Sequence, residues 1–211
     1  MAYDLQEQEQ LDSMKAWWEK YGNFILTTAT VILLAVAAFN GWRWYERREA
    51  QQAAGVYDQL LKALDGKDAN RQKELAGTII ERYAGTVYAP MAALQMATVY
   101  HDTGDSAAAR AQLQWVIDKS GHQEYALIAR VRLAGVLLDE KSYDEALKVL
   151  SGEVPRSHLT EFADRRGDVL VAQKKFDEAR AAYKEALAAA DPQNPLRNLI
   201  QLKLDSLPAA S

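Results

Sequence analysis

Cysteine is absent from the 211 residues, which excludes disulfides, zinc–thiolate sites and thiol catalysis. Proline and glycine are scarce, at five and eleven. That is too few for an all-β chain dense in turns, while alanine and leucine abound, so helices are expected. There is no surplus of positive charge: 25 Lys and Arg stand against 29 Asp and Glu, a net charge of −4. Such a chain has no generic pull on phosphate backbones, and no nucleic acid is expected as a partner. The histidines, His101, His122 and His158, are far apart and form no HExxH arrangement, so no metal site is expected. No GxGxxG, Walker or GxSxG motif occurs. The carboxylate pairs Asp144/Glu145 and Asp177/Glu178 open helices, where they suit the helix dipole better than acid–base work. The expectation is a protein without cofactor or enzymatic activity.

What the sequence does have is one long uncharged run. Tyr21 to Trp42 is 22 residues without a charge, centred on FILTTATVILLAVAAF. As a helix it measures about 33 Å, and a bilayer core is about 30 Å thick. Its threonines can bond back to helix carbonyls. Trp17, Trp18 and Tyr21 precede the run and Trp42, Trp44 and Tyr45 follow it, as aromatic belts do at the two membrane interfaces. A buried core helix is disfavoured, because soluble helices seldom go so far without a charge. A cleaved signal peptide is disfavoured too: some 20 acidic, tryptophan-rich residues precede the run, where a signal peptide has a short basic start. A transmembrane signal-anchor is expected, with residues 1–20 as an N-terminal segment, 21–42 as the span and 43–211 as a helical domain. Residues 1–22 carry a net charge of −3, whereas Arg43, Arg47 and Arg48 follow the span. Locally, the positive-inside rule therefore favours a cytoplasmic C-terminal portion.

Beyond the span the apolar stripe Ala53, Val56, Tyr57, Leu60, Leu61 and Leu64 predicts that the helix continues as a rod to about Leu64, with Gly41 and Gly55 as weak points. Asp65-Gly66-Lys67-Asp68 stops it, and a second helix is predicted over 69–83. An internal repeat then emerges. Ala109, Ala146 and Ala179 align; three residues before them lie Ser106, Tyr143 and Phe176, and four after them Leu113, Leu150 and Tyr183. Nine residues before them lie Tyr100, Leu137 and Leu170, and twelve before them Ala97, Ala134 and Gly167. The spacings of 37 and 33 residues match the helix-turn-helix period of about 34 of tetratricopeptide repeats, in which small residues let paired helices approach. Ser142-x-x-Glu145 predicts a capping box. Arg166 stands where a leucine is usual. Leu196, Leu199, Ile200, Leu204 and Leu207 predict a final helix that caps the open end of the stack. The fold class is therefore all-α: an N-terminal transmembrane helix followed by a tetratricopeptide-like α-solenoid, with 41–64 and 69–83 as a degenerate first pair.

In such folds the first helix of each pair lines a concave groove. The positions expected there are Leu94, Thr98 and His101; Ile128, Val131, Gly135 and Leu138; and Asp164 and Asp168. The apolar middle section would form a slot for a segment of another protein. The competing reading is that Ile128, Val131 and Leu138 are covered by neighbouring helices or by the C-terminal cap.

An acidic N-terminus with tryptophans, a single span near residue 30 and degenerate repeats containing YAPMAALQMA, ARVRLAGVLLDEKSYDEALKVL and RRGDVLVAQKKFDEARAAYKEAL resemble the YfgM-like family, ancillary subunits of the bacterial SecYEG translocon. The resemblance covers nearly the whole chain. It implies a bacterial inner-membrane protein with a cytoplasmic N-terminus and a periplasmic repeat domain, against the local arginines. It also implies association with the SecYEG translocon, with a membrane-anchored periplasmic chaperone of the prolyl-isomerase-like type and with emerging secretory proteins, whose handover it would assist. The alternative is a cytoplasm-facing scaffold that assembles other proteins at the membrane.

Overall fold

The computed structural model describes residues 2–208; residues 209–211, the end of the expected helical domain, lie outside the described part. The described residues form α-helices, one short 3-10 turn and connecting loops. Contacts group them into two compact units, Met1–Glu49 and Ala50–Ser211. Helix α1 (Ala2–Asp65) contributes to both, and each unit is described by itself.

In the first unit the helix keeps its apolar side chains outside any core: Phe24 is 73% exposed and Leu33 68%. Thr27 and Thr30 donate their hydroxyls to the carbonyls of Asn23 and Leu26 at 2.7 and 2.8 Å. An apolar medium requires that local satisfaction of the two hydroxyls. The aromatic collars are organised. The Trp17 and Tyr21 rings lie 5.6 Å apart, Trp18 lies on Gly22, and Arg43 and Arg48 sit over Phe39 and Trp44 at 5.6 and 5.3 Å. This helix is long and apolar enough to cross a membrane.

The second unit begins with the end of α1 and continues through α2 (Ala69–Arg82), α3 (Tyr88–Asp102), α4 (Ser106–Lys119), α5 (Gln123–Asp139), α6 (Tyr143–Leu150), α7 (Leu159–Ala172), α8 (Phe176–Ala189) and α9 (Leu196–Asp205). These make successive helix pairs. Ala109, Ala146 and Ala179 are fully buried, and facing them Ala97, Ala134 and Gly167 are buried too. None of the six carries more than a methyl group. At Gly167 even that fails: a Cβ built there would stand 2.3 Å from Cε1 of Tyr183. The Tyr183 ring cannot swing away, because it is 2% exposed and its hydroxyl donates to Asp168 Oδ1 at 2.8 Å.

The turn inside each pair is built the same way four times. Lys67, Gly104, Lys141 and Lys174 all have positive φ, between 54° and 81°. At each, two hydrogen bonds close a Schellman motif. In the second pair Asp105 N donates to Tyr100 O and Gly104 N to His101 O; in the third, Ser142 N donates to Leu137 O and Lys141 N to Leu138 O. The next residue is then already the N-cap of the second helix. Asp68 and Asp105 accept from the amides of Arg71 and Ala108 at 3.1 and 3.0 Å. Within each of the last three pairs the left-handed residue lies seven positions after the small residue of the first helix and five before that of the second.

In the first pair those positions hold Leu60 and Gln72, both buried. The Gln72 amide donates to the Ala63 carbonyl at 3.0 Å, so its polar group is satisfied. Tyr57, Leu60 and Ala63 share a core with Leu75, Ala76 and Ile79, which makes 50–65 and α2 the degenerate pair. Three local expectations differ. Leu61 is 38% exposed and Leu199 48%, because their neighbours Leu60 and Ile200 take the inward positions. Ser142 makes no side-chain cap bond; Glu145 pairs instead with Arg110 of α4 at 3.2 Å.

First helices of successive pairs touch, α3 with α5 and α5 with α7, and so make an inner layer; α4, α6 and α8 lie outside it. Arg130 joins three elements. It donates to the carbonyls of Val149 and Ser151 at the end of α6 and stacks 4.8 Å over the Phe162 ring of α7. Helix α9 packs on α8 through Ile200 and Leu204, with Leu207 just beyond its end, and covers the last pair.

Two glycines separate packing from helix propensity. Alanine is the better helix former by about 0.8–1 kcal/mol, so Gly77→Ala, with nothing within 4 Å of the new Cβ, should raise the melting temperature. Gly167→Ala should lower it, because overpacking against the fixed Tyr183 ring costs about 1–3 kcal/mol. Thermal denaturation followed by circular dichroism measures both; equal shifts would refute the crossing-point assignment.

Candidate functional site

The inner layer encloses a hollow of about 270 Å³ between α3, α5 and α7. Ala97, Leu113 and Val136 contribute apolar surface to it; Thr98, His101, Arg132, Gly135, Asp139 and Arg165 supply the rest. Arg132 crosses from α5 to α3 and donates to the Leu94 carbonyl at 3.2 Å and to Thr98 Oγ1 at 3.4 Å. His101 Nε2 stands 3.5 Å from Asp139 Oδ2, a second link between the same helices. Arg165 of α7 lies against Gly135, where a Cβ would stand 3.6 Å from Cζ, an ordinary contact distance. The Arg165 guanidinium makes one long bond, from Nη1 to Asp168 Oδ2 at 3.4 Å, while its buried Nε has no partner.

Of the expected groove positions, Thr98, His101 and Gly135 line this hollow. Leu94 is buried in the core at 6% exposure and offers only its carbonyl. Val131 and Leu138 pack against the same core, and Ile128 is 36% exposed without lining the hollow. Asp164 and Asp168 stand at the far end, where α9 reaches them. Lys203 Nζ lies 2.8 Å from an oxygen of each. The sequence favours an α5 face at 128, 131, 135 and 138, whereas the hollow is lined by 132, 135, 136 and 139. Both series fit a helical spacing, and the difference turns the face by one residue. It exchanges two apolar side chains for Arg132 and Asp139. The signal was present in that alternation of arginine, glycine and aspartate.

Burial pushes the Asp164 carboxyl upward from its ordinary pKa; its hydrogen bond with Lys203 opposes this and the neighbouring Asp168 charge adds to it. Burial likewise raises the Tyr183 phenol, with Asp168 acting in the same direction. A carboxyl with a raised folded pKa holds its proton longer in the folded state than in the unfolded one. Its ionisation therefore reduces stability as pH rises through the folded value, and acid restores it. Lys203 offsets this by pairing both carboxylates. Lys203→Met should cost about 1–3 kcal/mol near neutral pH, less than the roughly 3–5 of a fully buried pair. The gap from the parent should shrink on acidification into the carboxylate range. Denaturant melts at neutral and acidic pH test this, and a gap independent of pH would contradict it.

Residues 15–209 match the family described as tetratricopeptide repeat-like domain. The chain is 31% identical to an "Ancillary SecYEG translocon subunit" of Neisseria gonorrhoeae over 98% of its own length and all of the relative's. It is 25% identical to the protein of the same name from Haemophilus influenzae, again over 98% of the chain and all of the relative. To the one from Escherichia coli it is 24% identical over 95% of the chain and 96% of the relative. No solved structure matches. Neither the family's description nor the relatives' name denotes an enzyme. Matched from end to end by these proteins, and built of the paired helices their repeat class requires, the chain belongs to the family of ancillary SecYEG translocon subunits with a tetratricopeptide-like domain.

Proposed function

We propose that this protein is a single-span inner-membrane subunit that works at the SecYEG translocon. In this reading its repeat domain faces the periplasm and helps hand emerging secretory proteins to a membrane-anchored chaperone of the prolyl-isomerase-like type. The observation that carries it is the end-to-end similarity to ancillary SecYEG translocon subunits, at up to 31% identity. The apolar helix supports membrane anchoring, and the open hollow of the inner layer supports protein recognition.

A second reading, a cytoplasm-facing scaffold, draws on Arg43, Arg47 and Arg48 beyond the span. The first is preferred because long domains translocate largely regardless of a few local charges. Alkaline carbonate extraction should leave the protein in the membrane pellet. Alkaline phosphatase fused to the C-terminus should be active and green fluorescent protein in its place dark; the reverse pair of results would establish the scaffold reading. A photo-crosslinker at Thr98, on the inner layer, should capture translocon components, the chaperone or emerging chains. The same probe at Lys148, on the outer helix α6, should capture far less. Equal capture would move partner recognition away from the groove.

A further inference from the structure

Just beyond the apolar run, α1 carries its charges sorted by sign. At about 100° per residue, Arg43, Arg47 and Arg48 fall in one sector of the helix about 140° wide, with Trp44 inside it. Glu46 and Glu49 fall outside that sector. Glu46 stands three residues after Arg43, a spacing at which helix charges pair. Yet among the described residues no ion pair links any of the three arginines to a carboxylate. Arg43 and Arg48 stack instead on the rings four residues before them, Phe39 and Trp44, at 5.6 and 5.3 Å. Stacking covers the flat face of a guanidinium and leaves its fork of N–H donors free. All five of these side chains are exposed.

Depth favours a lipid as the occupant. With Tyr21–Trp42 as the span, the three arginines follow its end by about 1.5–9 Å along the axis. The headgroup layer is about 5–8 Å deep on each side of the hydrocarbon. Helix side chains lean toward the N-terminus, which here is the span, so stacking on Trp44 draws Arg48 back into that layer. We infer that this face of α1, Arg43, Arg47 and Arg48 around Trp44, is a binding site for anionic phospholipid, whose headgroup phosphate accepts the guanidinium N–H bonds. Arginine matches phosphate oxygens bidentately. Zwitterionic headgroups bring their own cation beside the phosphate, whereas phosphatidylglycerol and cardiolipin do not, and these are the lipids selected. Such a site goes beyond the function proposed for the repeat domain. It depends only on 21–42 spanning the membrane, and it serves whichever side the repeat domain faces.

The test is native mass spectrometry of the full chain in detergent, offered dioleoyl phosphatidylglycerol and dioleoyl phosphatidylcholine at equal concentration. Phosphatidylglycerol adducts should exceed phosphatidylcholine adducts by at least about tenfold, since each cation near an anionic headgroup is worth about fivefold. Arg47→Gln should cut that preference about fivefold. Arg43→Gln, Arg47→Gln and Arg48→Gln together should abolish it, with the helical melt retained because these side chains are exposed. Glu46→Gln, outside the sector, should not lower it, and neither should Lys15→Gln with Lys20→Gln before the span. Equal adducts of the two lipids, or a preference that survives the triple exchange, overturn the inference. So does displacement of the lipid by millimolar inorganic phosphate, which would make it a free-anion site. If the triple variant keeps its lipid preference but no longer retains translocon components in a pull-down, the face is a protein contact instead. The membrane reading fails separately, if alkaline carbonate releases the protein.

Discussion

The repeat domain depends on how closely its paired helices can cross. In the three later pairs the equivalent buried positions of the two helices carry a methyl group or a bare Cα: Ala97 and Ala109, Ala134 and Ala146, Gly167 and Ala179. Larger side chains four residues on in the second helices, Leu113, Leu150 and Tyr183, fill the core around them. Tyr183 shows how tight this arrangement is. Its ring occupies the volume that any side chain at position 167 would need, and the Asp168 carboxylate fixes its hydroxyl. Burial of one aromatic ring, worth about 1.5–3 kcal/mol, thus depends on the absence of a single carbon atom.

The same spacing decides what the inner layer offers. With the outer helices held back by their own contacts, α3, α5 and α7 come together directly, and the side chains between them must be small or polar and extended. Gly135 beside Arg165, and Arg132 reaching the Leu94 carbonyl, are the result. The hollow is consequently richer in donors than the apolar slot that the sequence suggested. At its α7 end Lys203 of α9 neutralises Asp164 and Asp168, so the closing helix contributes a charge as well as the leucines read from its periodicity.

Much of the fold was legible because it rests on short-range rules. The alignment of Ala109, Ala146 and Ala179, the stop after Asp65 and the paired helices follow from periodicity and turn chemistry alone. The threonine back-bonds of the apolar helix follow from the need to satisfy hydroxyls in an apolar medium. What escaped was decided by three-dimensional neighbours. Ser142 had the sequence of a capping box, but its N–H already donates to the Leu137 carbonyl in the turn, and Glu145 pairs with Arg110, a full repeat away. Leu199 had the spacing of a core residue, but the helix turns Ile200 inward instead. On α5 two series share Gly135, Val131 with Leu138 and Arg132 with Asp139. Hydrophobicity favours the first on paper. Val131 is partly buried against the core, while Arg132 lines the hollow.

The turn within each pair makes one residue end the first helix and the next begin the second. From the crossing residue to the left-handed residue the count is seven, and onward to the next crossing it is five, in all three of the later pairs. The difference between the 37- and 33-residue spacings therefore falls wholly between the pairs, where Ala134 follows Ala109 by 25 positions and Gly167 follows Ala146 by 21. An insertion or deletion inside a turn would rotate one helix against its mate and bring side chains into the crossing. One in the connection between pairs would leave each pair intact and alter only the angle at which neighbouring pairs stack. Length variation in this architecture is thus channelled into how neighbouring pairs stack, while each pair folds by the same local rules.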